Sequence, residues 1–118
     1  MLEIARARAP AGVEVSLNEF GDRADVPAPV ATAVYRVVQE SLTNTVRHAR
    51  ASRVAVTVRY APASVVVDVQ DDGTGAGPTA DGHGISGMRE RVAALGGALT
   101  AGPGRTGFAV RATIPIAA

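Results

Sequence analysis

The 118-residue chain contains no cysteine, no tryptophan and no lysine. Without cysteine it has no disulfide framework, thiolate zinc site or cysteine nucleophile. Without lysine it has neither the Walker A phosphate loop, whose lysine reaches the terminal phosphates, nor any Schiff-base chemistry. All 12 basic residues are therefore arginine, set against 11 acidic ones for a formal charge of +1. That balance gives no general pull toward nucleic acid or an anionic membrane surface. Long apolar runs are missing as well. No stretch approaches the roughly 18 residues of a membrane span, and Arg6 and Arg8 interrupt the opening before a secretory signal could form. The expectation is a soluble, cytoplasmic, monomeric domain over residues 1–118, with no nucleic-acid or direct membrane contact. If it binds a nucleotide, it does so by a route other than the Walker lysine.

What is present is apolar and small. The chain is 47% hydrophobic and 19% charged, a globular composition, and its length suffices to bury about two-thirds of the unfolded surface. Val13 to Phe20 alternates apolar and polar residues, the period of a half-buried strand. Pro27 and Pro29 precede a run in which Val30, Val34, Val37, Val38, Leu42, Val46 and Ala49 recur at helical spacing, predicting a long amphipathic helix from Val30 to Ala49. Arg53–Tyr60 and Ser64–Gln70 are valine-rich and read as a hairpin. A glycine-rich stretch runs from Asp71 to Gly84. Ile85–Leu95 reads as a second helix stopped by Gly96-Gly97. Two strands, Ala98–Ala101 and Phe108–Ile114, flank a turn around Gly102-Pro103-Gly104. The order predicts a two-layer α/β domain, its helices packed on one face of a mixed sheet.

Three features carry candidate chemistry. Glu40, Asn44 and His48 are spaced four apart on the long helix, drifting only ~80° around its axis, so they share a face, with Arg47 one turn from Asn44. A solvated face with i,i+4 hydrogen bonds would explain such a stripe. So would a site, since the stripe combines a base, a neutral oxygen ligand for a hard cation and a flat ring. Asp71-Asp72-Gly73-Thr74-Gly75 stands at the end of an apolar strand. It reads either as ordinary Asp-Gly turn chemistry or as a strand-end carboxylate that accepts a hydrogen bond from an exocyclic amine. Adenine offers such an amine and guanine does not. Gly82-His83-Gly84-Ile85-Ser86-Gly87 opens the second helix and matches the dinucleotide pattern G-x-G-x-x-G. No strand runs into it, however, and no acidic residue follows about 20 positions on, so the match is read as a decoy. Free amides and a helix N-terminus there still suit a phosphate.

Together these motifs resemble the ATP-binding domain of sensor histidine kinases, within the wider family of type II topoisomerase and heat-shock chaperone ATPases. Tyr35 to Ala49 is similar to the family's asparagine box and Asp71 to Gly75 to its D-x-G-x-G box. Gly82 to Val92 resembles the second glycine box of the nitrate-sensor branch, where a G-x-G-L-x-G-M-R-E-R run is typical. Gly96-Gly97 and Ile114-Pro115 also fit. The resemblance implies a Bergerat-type sandwich with a mostly antiparallel sheet. It implies ATP and Mg²⁺ as cofactors, with Asn44 holding the metal and Arg47 and His48 beside the nucleotide. Asp71 would accept the adenine amine, Gly73 and Gly75 would let the base approach, and Gly82, Gly84, Ile85, Ser86, Gly87 and Met88 would border the phosphates under a mobile lid over Ala76–His83. Glu40 would act as base or polarising group toward an acceptor imidazole.

Two departures from the family pattern stand out. Where many relatives carry Thr at the start of the last strand, Gly107 is followed by Phe108, which is expected to pack in the core. Both histidines, His48 and His83, fall inside nucleotide motifs, so the phosphoacceptor is expected on a separate dimerisation domain, with a response regulator as the final acceptor. Met1–Ala9 reads equally as the end of a helix or as a first strand. Two other readings share the sequence: a protein-serine kinase of the anti-sigma-factor type, and a nucleotide-responsive interaction module without phosphoryl transfer.

Overall fold

The computed structural model describes residues 12–22, 26–44, 52–73, 83–105 and 107–116. Met1–Ala9 lies outside them, as do most of the expected lid and the last residues of the expected long helix. The described elements run β1 (Glu14–Phe20), α1 (Ala28–Asn44), β2 (Arg53–Tyr60), β3 (Ser64–Asp71), α2 (His83–Ala94), β4 (Ala98–Pro103) and β5 (Phe108–Pro115). The strands form one five-stranded sheet in the order β1-β2-β3-β5-β4. Only the β1–β2 pair is parallel; the remaining pairs are antiparallel. α1 is the crossover that the parallel pair requires.

Alternation sets the register. Val54, Val56 and Val58 of β2, Val65, Val67 and Val69 of β3, and Val110, Ala112 and Ile114 of β5 are all buried. Their pairing partners (Val56 with Val69, Val58 with Val67, Val67 with Ala112) stand on the same face. A slip of one residue would turn that whole set to solvent. The helices cover this face. Val30, Ala33, Val34, Val37, Val38 and Leu42 make the buried stripe of α1, while Met88 and Val92 are the fully buried residues of α2. α1 packs on β3 and β5, α2 on β4 and β5, and the helices touch each other. Helices on one face of a mixed sheet make the two-layer architecture, as the element order implied.

Element ends differ from the sequence expectations for identifiable reasons. α1 begins at Ala28, two residues early, because the Pro27 carbonyl accepts the Ala31 N–H at 3.0 Å, and Pro29 sits in a first turn whose amides lack helical partners anyway. β4 continues through Pro103, which pairs with Phe108. It lies at the sheet edge, where proline's missing donor is tolerated. The chain reversal therefore falls beyond Pro103, where the Gly104 N–H donates to the Gly107 carbonyl at 2.6 Å. Among the described residues, no helix is long and apolar enough to cross a membrane.

The glycine stop of α2 works as expected. Gly96 has φ +80°, its N–H donates to the Ala93 carbonyl, and the Gly97 N–H reaches back to Val92 at 2.9 Å. This is the paired 6→1 and 5→2 closure of a Schellman cap. Replacing Gly96 by alanine forces a Cβ into the left-handed region at a cost of about 1–2 kcal/mol. The expected outcome is a lower urea midpoint with an unchanged m-value.

Candidate functional site

The same alternation that buries Val65, Val67 and Val69 brings Asp71 to the helix-covered face, where it is 5% exposed. A carboxylate so placed requires hydrogen-bond donors. Asp71 Oδ1 accepts the Gly73 N–H at 2.9 Å and the Phe108 N–H at 3.1 Å. The second bond comes from the first residue of β5, the position where threonine was expected in relatives. Phe108 is itself partly buried against the core, so its side chain packs as the sequence suggested while its amide orients Asp71. Gly107 makes this approach possible. A Cβ there would overlap Asp71 Oδ1 and stand 2.6 Å from the Asp71 carbonyl oxygen and 2.8 Å from the Gly73 nitrogen. Sequence reasoning missed this role of Gly107; the only signal was a glycine directly before an apolar strand.

Asp72, one residue past the end of β3, is partly exposed. Its Oδ1 accepts the N–H groups of Ser52 and Arg53, and its Oδ2 the Ser52 hydroxyl, each at 2.9 Å. These bonds hold its carboxyl below the ordinary value of 3.8, the Arg53 amide contributing most and the Ser52 hydroxyl next. Sequence reasoning gave Asp72 no role of its own.

On α1, Glu40 and Asn44 lie one turn apart and are both partly buried. Glu40 lines a groove of about 610 Å³ along α1, together with Tyr35, Arg36, Gln39 and Thr43. The Asn44 side-chain nitrogen is buried and has no hydrogen-bond partner among the described residues. An amide can turn end over end, presenting either its NH₂ or its oxygen at that place. Behind them, Ser41 is 3% exposed and its hydroxyl donates to the sulfur of Met88 at 3.9 Å. That contact ties the α1 stripe to the start of α2.

Of the remaining expected residues, Gly84, Ile85, Ser86 and Gly87 lie in the first turns of α2. Ile85 is half-buried, Ser86 exposed, and Met88 is fully buried. A Cβ on Gly87 would meet nothing within 4 Å, so this glycine does not serve the close helix–strand packing of a dinucleotide fingerprint. Arg47, His48, Gly75 and Gly82 lie outside the described residues. Among those described, no cluster of three or more His, Cys, Asp or Glu side chains could hold a metal.

Residues 30–118 match the family described as histidine kinase-, DNA gyrase B- and HSP90-like ATPase. The chain belongs to this family. It is 39% identical over 90 residues, 75% of its length, to the sensor histidine kinase YxjM of Bacillus subtilis. It is 45% identical over 69 residues, 57% of its length, to the signal transduction histidine-protein kinase/phosphatase UhpB of Salmonella typhimurium. It spans only 22% and 14% of those two proteins. The blue-light activated histidine kinase EL346 of Erythrobacter litoralis superposes with a TM-score of 0.72 at 27% identity, over 98% of this chain and 40% of that one. The catalytic domain of the histidine kinase ThkA superposes at 0.68 with 18% identity, over 89% of this chain and 80% of that one, a likeness of fold. The sandwich is thus that of the histidine-kinase ATPase domains, and within the family this chain stands with them.

Two outcomes follow from the strand-end geometry. Gly107→Ala crowds backbone atoms that cannot swing aside and lowers stability by about 1–3 kcal/mol. Gly102→Ala, where a Cβ meets nothing within 4 Å, serves as the neutral control in the same urea titration. Because the folded pKa of Asp72 is depressed, its contribution to stability is complete above the unfolded value, near 3.8, and is lost as pH falls through the folded value. Acid unfolding of Asp72→Asn should therefore be less steep below that pH than that of the wild type.

Proposed function

We propose that the chain binds Mg-ATP and delivers its γ-phosphoryl group to a histidine on a separate dimerisation domain, acting as the catalytic part of a two-component sensor kinase. The observation that carries this reading is the Asp71 carboxylate, buried and held by two backbone amides at a strand end, in a chain of the histidine-kinase ATPase family. Asp71 accepts the exocyclic amine of adenine, and Gly73 leaves the base room to approach. Arg47, His48, Gly75, Gly82, Gly84, Ile85, Ser86, Gly87 and Met88 complete the nucleotide site, Met88 by holding α2 on α1.

The residues on α1 fit a divalent cation. The Asn44 side-chain nitrogen has no hydrogen-bond partner among the described residues, and turned end over end the amide offers a neutral oxygen there, suited to Mg²⁺, which keeps several waters and phosphate oxygens. When bound, Mg²⁺ supplies positive charge against the phosphate oxygens. Glu40, in its open groove one turn away, accepts the proton of the incoming imidazole or polarises that ring. The phosphoryl group moves from the ATP γ-position to the imidazole nitrogen, and ADP leaves. A response regulator then takes the phosphoryl group, and the domain works on the cytoplasmic side, as a monomer on its own.

With a histidine-bearing dimerisation domain supplied in trans, Asp71→Asn should weaken binding of an ATP analogue by about 10- to 100-fold, the worth of a hydrogen bond to a charged group. Glu40→Gln should leave that affinity nearly unchanged while slowing transfer by about 10²-fold or more. Label from ATP appearing on serine and never on histidine would indicate the serine-kinase alternative. Binding of the ATP analogue with no label passed to any protein, in wild type and Glu40→Gln alike, would leave a nucleotide-binding module.

A further inference from the structure

The four strands nearest the site are stitched together at one end, and Asp72 sits at the centre of the stitching. Ser52 is the residue at which the chain rejoins the sheet after α1. Its carbonyl accepts the Glu14 N–H at 2.9 Å, its N–H and hydroxyl both donate to the Asp72 carboxylate, and Arg53 adds a third donor. The Asp72 N–H returns a bond to the Arg53 carbonyl at 3.2 Å. One residue earlier, Asp71 is bonded to the start of β5 through Phe108. β1, β2, β3 and β5 are thus joined around two adjacent aspartates, Asp71 bonded toward β5 and Asp72 toward the start of β2.

We infer that Asp72 is a positioning residue for nucleobase recognition: by gripping Ser52 and Arg53 just past the end of the β2–β3 ladder, it fixes the backbone on which Asp71 is presented to adenine. The inference rests on the ATP-site reading above. A strand end is where β3 would otherwise fray, since the ladder to β2 finishes at the Val54–Asp71 pair. The carboxylate extends that ladder by three bonds beyond its last pair. Fixing the backbone of residues 71–73 fixes both the carboxylate and the Gly73 amide that orients it, and small displacements of a recognition group cost a large share of its effect. Asp72 touches neither ligand nor reacting atoms in this arrangement; it acts through Asp71.

The test uses the whole chain and two probes, a non-hydrolysable ATP analogue and its guanine counterpart, each with Mg²⁺, titrated calorimetrically. Asp72→Ala should lose about 10-fold in affinity for the adenine probe and less than about 2-fold for the guanine probe, because the loss falls on base recognition and spares the shared triphosphate. Asp72→Asn keeps an oxygen for the two backbone donors and should stay within about 3-fold of wild type. Ser52→Ala removes one bond from the opposite side and should shift the adenine preference in the same direction by a smaller factor, which keeps the test open should Asp72→Ala fold poorly. Equal losses for both probes, a wild-type adenine preference in Asp72→Ala, or an Asp72→Asn as weak as Asp72→Ala would each overturn the inference. If the wild type itself fails to prefer adenine, the ATP-site reading fails and this inference with it; Asp71→Asn, run alongside, reports on that reading alone.

Discussion

A carboxylate placed by strand alternation on the buried face of a sheet is the constraint around which this domain is arranged. Asp71 occupies the next inward position after Val65, Val67 and Val69, so it is carried beneath the helical layer by the same geometry that builds the core. There it needs donors, and the fold supplies them from the chain just beyond it and from the start of β5. The requirement propagates. β5 has to begin close to the end of β3, which demands the missing side chain at Gly107, and the Gly104–Gly107 backbone bond holds the start of β5 to the end of β4.

The helical layer completes the arrangement from above. α1 spends one face on valine packing, which leaves Glu40 and the Asn44 amide at the margin between core and solvent. Ser41, between them in sequence, points inward and meets Met88. A displacement of α2 is therefore felt on the stripe through a contact behind the polar residues, without any bond to them. The start of α2 and the C-terminal half of α1 come together because the helices pack antiparallel, and this brings the glycine-rich motif and the asparagine motif to the same end of the domain.

Most of the architecture could be read from residue patterns. The valine alternation of β2, β3 and β5 gave their extents to within a residue, and the i, i+3, i+4 stripe gave α1. The β2–β3 hairpin was legible too; what the pattern could not carry was the pairing of strands distant in sequence, β3 with β5 and β1 parallel to β2, because non-local register depends on matching buried faces across the sheet. Pro103 was expected in a turn because its missing donor argues against a strand, a rule that an edge position relaxes. At the site, chemical type was legible and support was not. Asp71, Asn44 and Glu40 stand out by their motifs, whereas Gly107, the Phe108 amide, Ser41 and Asp72 act through backbone approach or through bonds to residues distant in sequence.

In the proposed ATP site, which has no lysine, recognition would fall to a carboxylate, an amide, arginine and main-chain donors, and two of these groups can be followed directly. The measurement that bears most directly on the account is an amide-resolved NMR titration of the whole chain with a Mg²⁺-bound, non-hydrolysable ATP analogue. The predicted result is saturable shifts at the Gly73 and Phe108 backbone amides and at the Asn44 side-chain NH₂, with the Tyr60 to Ser64 end of the sheet unmoved. No saturable shift, or shifts confined to the far end of the sheet, would contradict it.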